Sequence, residues 1–317
     1  MADGIYPADF SFWFYVPNKG AAIFFSVGFL VSTTLHLWQS LHYKYLKVTG
    51  LFVLSGLLNL VGFALRVLGG FGYHNDKAVF IASSCFIYVV PPVLALANYD
   101  ILGRVLYYVP YLSPIKPSRV LSTFGILSFT VEALTGIGAS FSFSPNAPED
   151  RVHAGKHIMR TSLALQLILN SSFLLLAAFF HRRCTREGLG GARGVRQTLI
   201  TLYVSTGLLV ARAAYRIAEH QALESVDRRN PTDLDPVVRD EWFFCVFESG
   251  LMLVNMVLWN VRHPRRYLPV GVGVYLDRDG RTEVELPPSK ETRGGVAKIM
   301  ELFGVGRMCH GWDKAAG

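Results

Sequence analysis

The chain has 317 residues, 51% hydrophobic and only 17% charged, with a mean hydropathy of +0.32. Soluble domains carry about 25% charged residues, so this much apolar surface excludes a soluble one- or two-domain protein. The apolar residues come in runs of about 20 separated by short charged segments, and because the cations sit in those segments, the formal charge of +8 reflects topology and attraction to anionic lipid rather than nucleic acid.

Seven stretches are long and apolar enough to cross a bilayer: Gly20 to Trp38, Val48 to Leu68, Ala78 to Gly103, Val120 to Phe143, His157 to Phe180, Thr198 to Ala218 and Trp242 to Val261. They predict an all-α, seven-transmembrane-helix bundle over 20–261, between an N-terminal segment, 1–19, and a tail, 262–317. The first span follows no charged n-region or small-residue cleavage site and is expected to remain as an anchor. The loop after the fifth span carries Arg182, Arg183, Arg186, Arg193 and Arg196; Lys44, Lys47, Arg104, Lys116 and Arg119 mark the first and third loops, and RHPRR opens the tail. The positive-inside rule puts these loops and the C-terminus in the cytoplasm and the N-terminus in the lumen or outside the cell, in the endoplasmic reticulum or plasma membrane. In the tail, VGVYLDRDGRTEVEL alternates around Asp279-Gly280 and suggests a small hairpin; GGVAKIMELFGVG suggests an amphipathic turn. The four cysteines have neither disulfide nor metal-ligand spacing.

Ionisable residues within spans cost about 2.5 to 3.5 kcal/mol each on insertion scales and face the bundle interior. Here helical spacing gathers them into stripes. Arg212, Tyr215, Arg216 and Glu219 share one face of the sixth span; Glu241, Glu248 and Asn255 repeat every seven residues on the seventh. The second span carries Ser55, Asn59, Gly62 and Arg66, the fourth Ser128, Glu132 and Thr135, the fifth Ser162, Gln166 and Asn170. The third has Tyr99, Asp100 and Arg104 after a Pro91-Pro92 pair, which should kink the helix and free carbonyls. A structural bundle needs only small residues and hydroxyls, so these stripes imply a polar cavity. The alternative reading makes Arg212 or Arg216 structural partners of Glu219 or Glu248, and His36 a snorkelling interfacial group. Asp100 and Glu132 stand out: each must take a cation from elsewhere or hold a proton.

The motif residues resemble a known family. RxxYRxxE (Arg212, Tyr215, Arg216, Glu219), the segment Glu241, Phe244, Glu248 and the closing Asn260, His263, Pro264 are similar to the fungal lipid-translocating exporters of the aminocholesterol-resistance type. Tyr15, Pro17 and Asn18, then Gly62, Phe63 and Arg66, then Pro92, Tyr99, Gly103 and Arg104, and Gln166 extend the match from about Tyr15 to Pro264. The resemblance implies a seven-helix protein handling amphiphilic lipids such as sphingoid bases or sterols. The chain departs from that pattern: Asn59 replaces a Glu, Gly125 an Asp, Glu132 a Gln, and Asp100 an apolar residue. In size and topology the chain is also similar to membrane-bound terpene cyclases of the ascofuranone type and epoxide hydrolases of the aurovertin type.

Relocated carboxyls favour an expectation of a membrane-embedded enzyme that opens an epoxide on a lipophilic secondary metabolite. Such chemistry needs one acid to protonate the departing oxygen and one carboxylate to assist the nucleophile. Asp100 and Glu132 are the expected pair, Glu248 and Glu219 alternates, with Asn59, Arg66, Tyr99, Gln166, Arg212, Tyr215 and Arg216 forming the pocket and tuning charge. The competing expectation is a lipid, sterol or toxin translocator whose carboxyls carry protons. A seven-span receptor ranks third. Neither metal nor cofactor is expected: the histidines lack ligand spacing, and no GxxxxGK[ST] signals ATP. The expected partners are a lipophilic small molecule and membrane lipids.

Overall fold

A computed structural model describes residue 13 and residues 15–142, 148–225, 235–269 and 273–285. Seven helices in it are long and apolar enough to span a membrane: Lys19–His42, Leu46–Tyr73, Lys77–Tyr108, Pro117–Ser142, Glu149–Arg186, Arg193–Glu224 and Glu241–Arg266. They run up and down, so the N-terminal ends of the first, third, fifth and seventh spans share one end of the bundle, here the N-end. The basic first, third and fifth loops gather at the opposite C-end.

The helices outrun the apolar stretches that reveal them. The fifth spans 38 residues, about 57 Å at 1.5 Å per residue, against a hydrocarbon core of about 30 Å. Its polar ends continue because helical hydrogen bonding does not stop at the lipid boundary. Large apolar side chains face outward without protein cover, including Phe24 (64% exposed), Ile126 (65%) and Leu175 (70%), as a lipid-solvated surface requires. Since lipid is as apolar as leucine, the helices associate through close approach and polar contacts instead. A Cβ at Gly138 would lie 2.8 Å from the Met159 nitrogen, and one at Gly155 2.7 Å from the Ser142 nitrogen, so these glycines let the fourth and fifth spans touch backbone to backbone.

Local sequence accounts for the breaks. Asn18 caps the first span by accepting from the Ala21 N–H at 3.1 Å; Asp76 caps the third. The second span ends in a π turn, Gly69–Tyr73, where Gly72 takes φ +115°. The third span continues as helix through Pro91 and Pro92, so the pair removes two amide donors without ending the helix. The seventh contains a π-helical segment, Phe244–Gly250.

The start of the tail belongs to the fold. Val274–Leu276 pairs antiparallel with Glu283–Glu285, in register Tyr275 to Val284, with Gly280 in the left-handed region at φ +70°. This is the expected hairpin. It caps the C-end of the bundle: Tyr108 O–H donates to Glu283 Oε1 at 2.8 Å, Arg278 lies 5.7 Å from the Tyr111 ring, and Leu276 is buried. The expected amphipathic turn over GGVAKIMELFGVG lies outside the described residues.

Candidate functional site

The seventh span carries a polar spine, and each of its members meets a partner. At the N-end, Arg66 Nη2 donates to Glu241 Oε1 at 2.8 Å and to the Tyr15 hydroxyl at 2.7 Å, with its guanidinium 4.2 Å from the Phe244 ring. The Asn18 N–H donates to Glu241 Oε2 at 2.8 Å. Burial pushes the Tyr15 phenol above its ordinary range, and the Arg66 charge offsets part of that shift. Three separate motifs thus form one latch between the N-terminal segment, the second span and the seventh.

One helical repeat further in, Arg212 donates to Glu248 from Nε at 2.8 Å and approaches it with Nη2 at 2.6 Å. Arg216 pairs with Glu219 and lies 4.1 Å over the Tyr88 ring, while Tyr215 O–H donates to Glu219 at 3.4 Å. Next comes a neutral cluster: Ser205 Oγ donates to Asn255 Oδ1 at 2.7 Å, Asn98 Nδ2 donates to Ser205 Oγ at 2.8 Å, and Trp259 Nε1 donates to the same hydroxyl at 3.0 Å. At the C-end, Asn260 Nδ2 donates to Ser32 Oγ at 2.6 Å and His263 lies 5.0 Å from the Tyr43 ring. His36, expected at the interface, is instead fully buried, its Nε2 bonded to the Met256 carbonyl at 3.0 Å and its ring stacked on Phe52.

Beside the Arg212–Glu248 pair, between the third, fourth, fifth and sixth spans, lies a narrow cavity of about 10 Å³, room for roughly one water. Pro91 and Pro92 form one wall; the polar lining is Ser128, Glu132, Gln166, Asn170 and Arg212. The missing proline amides leave the carbonyls one turn back, at Ile87 and Tyr88, without their usual helical partners. Gln166 Nε2 donates to Glu132 at 2.9 Å. Among the described residues Glu132 has no ion-pair partner, and it is the one carboxyl on the cavity wall. The arrangement sets one negative and one positive side chain plus neutral amides around a single small cavity.

Of the expected site residues, the structure brings Glu132, Gln166, Arg212 and Glu248 together, with Tyr215, Arg216 and Glu219 a turn beyond toward the N-end. Arg66 is committed to Glu241. Asn59 is buried on the second span, and Tyr99 bonds the Ser128 hydroxyl at 3.1 Å just below the cavity. Asp100 stands apart. It lies eight residues past Pro92, about 12 Å along the helix toward the C-end, where Arg104 approaches it at 3.5 Å and also bonds Tyr45. Ser205 and Trp259 were not singled out; a lone serine gives no signal until the helix opposite is known. Among the described residues, no group of three or more His, Cys, Asp or Glu side chains could hold a metal ion.

A family model described as "RTA1 like protein" matches residues 52–270. A lipid-translocating exporter-like protein RTA1 of Leptosphaeria maculans is 41% identical over 87% of this chain and 55% of its own length. A protein of the same description from Ajellomyces capsulatus is 29% identical over 74% of this chain and 73% of its own. The probable lipid transporter atnI of Emericella nidulans is 25% identical over 85% of this chain and 71% of its own. The chain therefore spans about half the length of the Leptosphaeria relative. No solved structure matches the chain.

These findings correct the expectation of an epoxide-opening enzyme. The relatives are named for translocating or transporting lipid, and the expected pair is not brought to one place: Glu132 lines the cavity beside Pro92, whereas Asp100 lies about 12 Å further along the third span.

Proposed function

Since this chain belongs to the RTA1-like family, we propose that it is a lipid translocator that passes the headgroup of an amphiphilic lipid through the cavity lined by Glu132, Gln166, Asn170 and Arg212. It is a multi-pass integral membrane protein. The observation that carries the reading is the placement of unlike charges and amides around unfilled space in the middle of seven spans. Charged groups are costly at that depth, and a bundle held together by packing alone has no use for them. The space has room for about one ordered water, so passage of a headgroup requires the surrounding helices to part. The acyl chain would stay in the bilayer beside the helices, where the large apolar side chains already face outward. The basic loops at the C-end favour a cytoplasmic position for that end, with the latch at Tyr15, Arg66 and Glu241 on the opposite side.

The test is reconstitution of the full chain into liposomes carrying a fluorescent lysophosphatidylcholine or a fluorescent single-chain amino alcohol. Leaflet exchange is read by quenching of the accessible probe and the lipid is analysed by mass spectrometry. Protein-dependent exchange of chemically unchanged lipid is expected, reduced at least several-fold by Arg212→Ala. Exchange no faster than in protein-free liposomes overturns the reading.

A further inference from the structure

Entry of a headgroup into so small a cavity requires helices to part, and the spans around it are not equally joined. The fourth and fifth are tied to each other at the level of the cavity and beyond it toward the N-end. Gln166 bonds Glu132 at 2.9 Å, Thr135 donates to the Ser162 hydroxyl at 2.9 Å, and Gly138 and Gly155 bring the two backbones into contact. The fifth and sixth are bridged at both ends, by the Tyr203 O–H to the Ala177 carbonyl at 3.2 Å and by Arg160 to Glu224.

The third and fourth spans are joined unequally along their length. Toward the C-end, Tyr99 bonds the Ser128 hydroxyl at 3.1 Å, its ring lies 5.3 Å from Phe124, and a Cβ at Gly103 would lie 3.4 Å from the Pro117 carbonyl. Cys85, Pro92 and Tyr99 are spaced by seven, about two helical turns, and so share one face of the third span. Along that face burial falls toward the N-end: Tyr99 is buried, Pro92 is half-buried beside the cavity, and Cys85 is exposed. Ile81, one turn beyond Cys85, is 46% exposed. The buried residues of this half, Ser83 and Ile87, face the second span instead, at Gly62. The fourth span follows the same gradient. Leu121, Gly125 and Ser128 are buried, Glu132 is half-buried, and Gly136 is exposed.

Gly136 has no packing role. Small residues in spans serve close helix contacts, as Gly138 does, and glycine is a poor helix former, yet a Cβ at Gly136 would meet nothing within 4 Å. The residue lies one turn from Glu132, on the side away from Thr135, which faces the fifth span. It leaves a notch that leads from the third–fourth seam to the Glu132 carboxyl. Gly207 is open in the same way, but it stands five residues from Arg212, about 140° around the sixth span, and offers no path to the cavity.

We infer that the wedge between the N-end halves of the third and fourth spans is a lipid groove. It takes the chain of one amphiphilic lipid from the N-end leaflet and admits the headgroup past Gly136 to Glu132, the fourth and fifth spans moving together away from the third. Position identifies the occupant. The walls are open at membrane depth, so the bilayer supplies what fills them, and the inner end is a half-buried carboxyl that only the polar part of an amphiphile can meet. The role of the groove in transport rests on the translocator reading above, whereas its binding of lipid is read without transport.

The experiment uses proteoliposomes of the full chain and lysophosphatidylcholine with a diazirine in its chain. Adducts formed on illumination are mapped by mass spectrometry, with and without a large excess of unlabelled lysophosphatidylcholine. Labelling of residues 81–92 and 129–140 should fall several-fold with the competitor, as at a site that fills, while labelling at lipid-facing Phe24 and Leu175 should be unchanged. Equal behaviour of groove and outer surface overturns the groove. Leaflet exchange of fluorescent lysophosphatidylcholine gives the second readout. Gly136→Trp fills the notch and should lower exchange at least several-fold without lowering the thermal midpoint; Gly207→Trp should exchange lipid as the wild type does. If Gly136→Trp fails to fold, Gly136→Leu, with a better helix former, carries the test. Wild-type exchange in the Gly136 variant, or an equal loss in Gly207→Trp, overturns the groove as the path and leaves the translocator reading standing. A wild-type protein that labels saturably in the groove but exchanges no lipid overturns the translocator reading and leaves the groove as a binding site.

Discussion

The two ends of the polar spine are built from different chemistry. Toward the N-end the rungs are ionic: Arg66 with Glu241, Arg212 with Glu248, Arg216 with Glu219. Toward the C-end they are neutral: Asn255 and Trp259 on Ser205, Asn260 on Ser32, Gln39 Nε2 on the Asn260 carbonyl at 3.0 Å. Neutral hydrogen bonds satisfy helix backbones and side chains in hydrocarbon at modest cost. Buried ions are a poor way to hold helices together, because desolvation cancels most of their attraction. The ionic half therefore calls for a functional explanation, and the cavity lies against it.

The largest expected effect tests that contrast directly. Arg212→Ala leaves Glu248 buried with an uncompensated charge, which costs about 3 to 5 kcal/mol; a large drop in the thermal midpoint of the detergent-solubilised protein is expected. Replacing both partners, Arg212→Leu with Glu248→Met, should restore most of the midpoint while leaving lipid exchange abolished. A double variant as unstable as the single one would show that the pair is structural.

In the neutral half the same kind of deletion should matter less. Asn255→Ala removes one acceptor from Ser205 and one donor to the Ser205 carbonyl, about 1 to 3 kcal/mol for the unsatisfied groups left behind, and lipid exchange per folded molecule should be unchanged. Tyr15→Phe removes one hydroxyl from Arg66 and should cost about 1.5 to 3 kcal/mol at most, as for a hydrogen bond to a charged group. Its specific sign is faster proteolysis of the segment before the first span; a loss there no greater than at a surface residue would detach that segment from the latch.

Whatever depended on one helix alone could be read from the sequence. All seven spans follow from runs of apolar residues, and the Arg212, Tyr215, Arg216, Glu219 stripe follows from a period of 3.6. The Glu248 to Asn255 repeat even announces the spine. What could not be read is which helix faces which. Asp100 and Glu132 look equivalent as lone carboxyls in apolar runs, yet the cavity sits level with Pro91 and Pro92 and so takes Glu132 and leaves Asp100 to Arg104. Hidden for the same reason was Ser205, an ordinary serine until Asn98, Asn255 and Trp259 converge on it from the third and seventh spans. Helix ends lie beyond the apolar runs, as at Glu149 and Arg186 on the fifth span, because hydropathy marks where lipid ends and not where backbone hydrogen bonding ends.

The smallest expected effect lies beyond both halves, in the hairpin that caps the C-end. The Asp279 carboxyl is held below the usual carboxylate range by the Thr282 hydroxyl and by the N–H groups of Thr282 and Arg281, donated at 2.9 and 2.8 Å. A carboxylate whose folded value is depressed adds stability above its unfolded value, about 3.9, and loses it as pH falls through the lower, folded value. Between pH 5 and 8 the turn should therefore show no titration, and its protection should decline only in more acidic solution. Hydrogen exchange at the Arg281 and Thr282 amides in the intact protein reads this. Asp279→Ala should speed exchange at those two amides at neutral pH, while Glu283→Gln, which keeps an acceptor for Tyr108, should leave them slow. Acceleration that reaches amides of the neutral rungs would show that the cap and the spine unfold as one unit, and that the C-end half owes its order to the hairpin as well as to its amides.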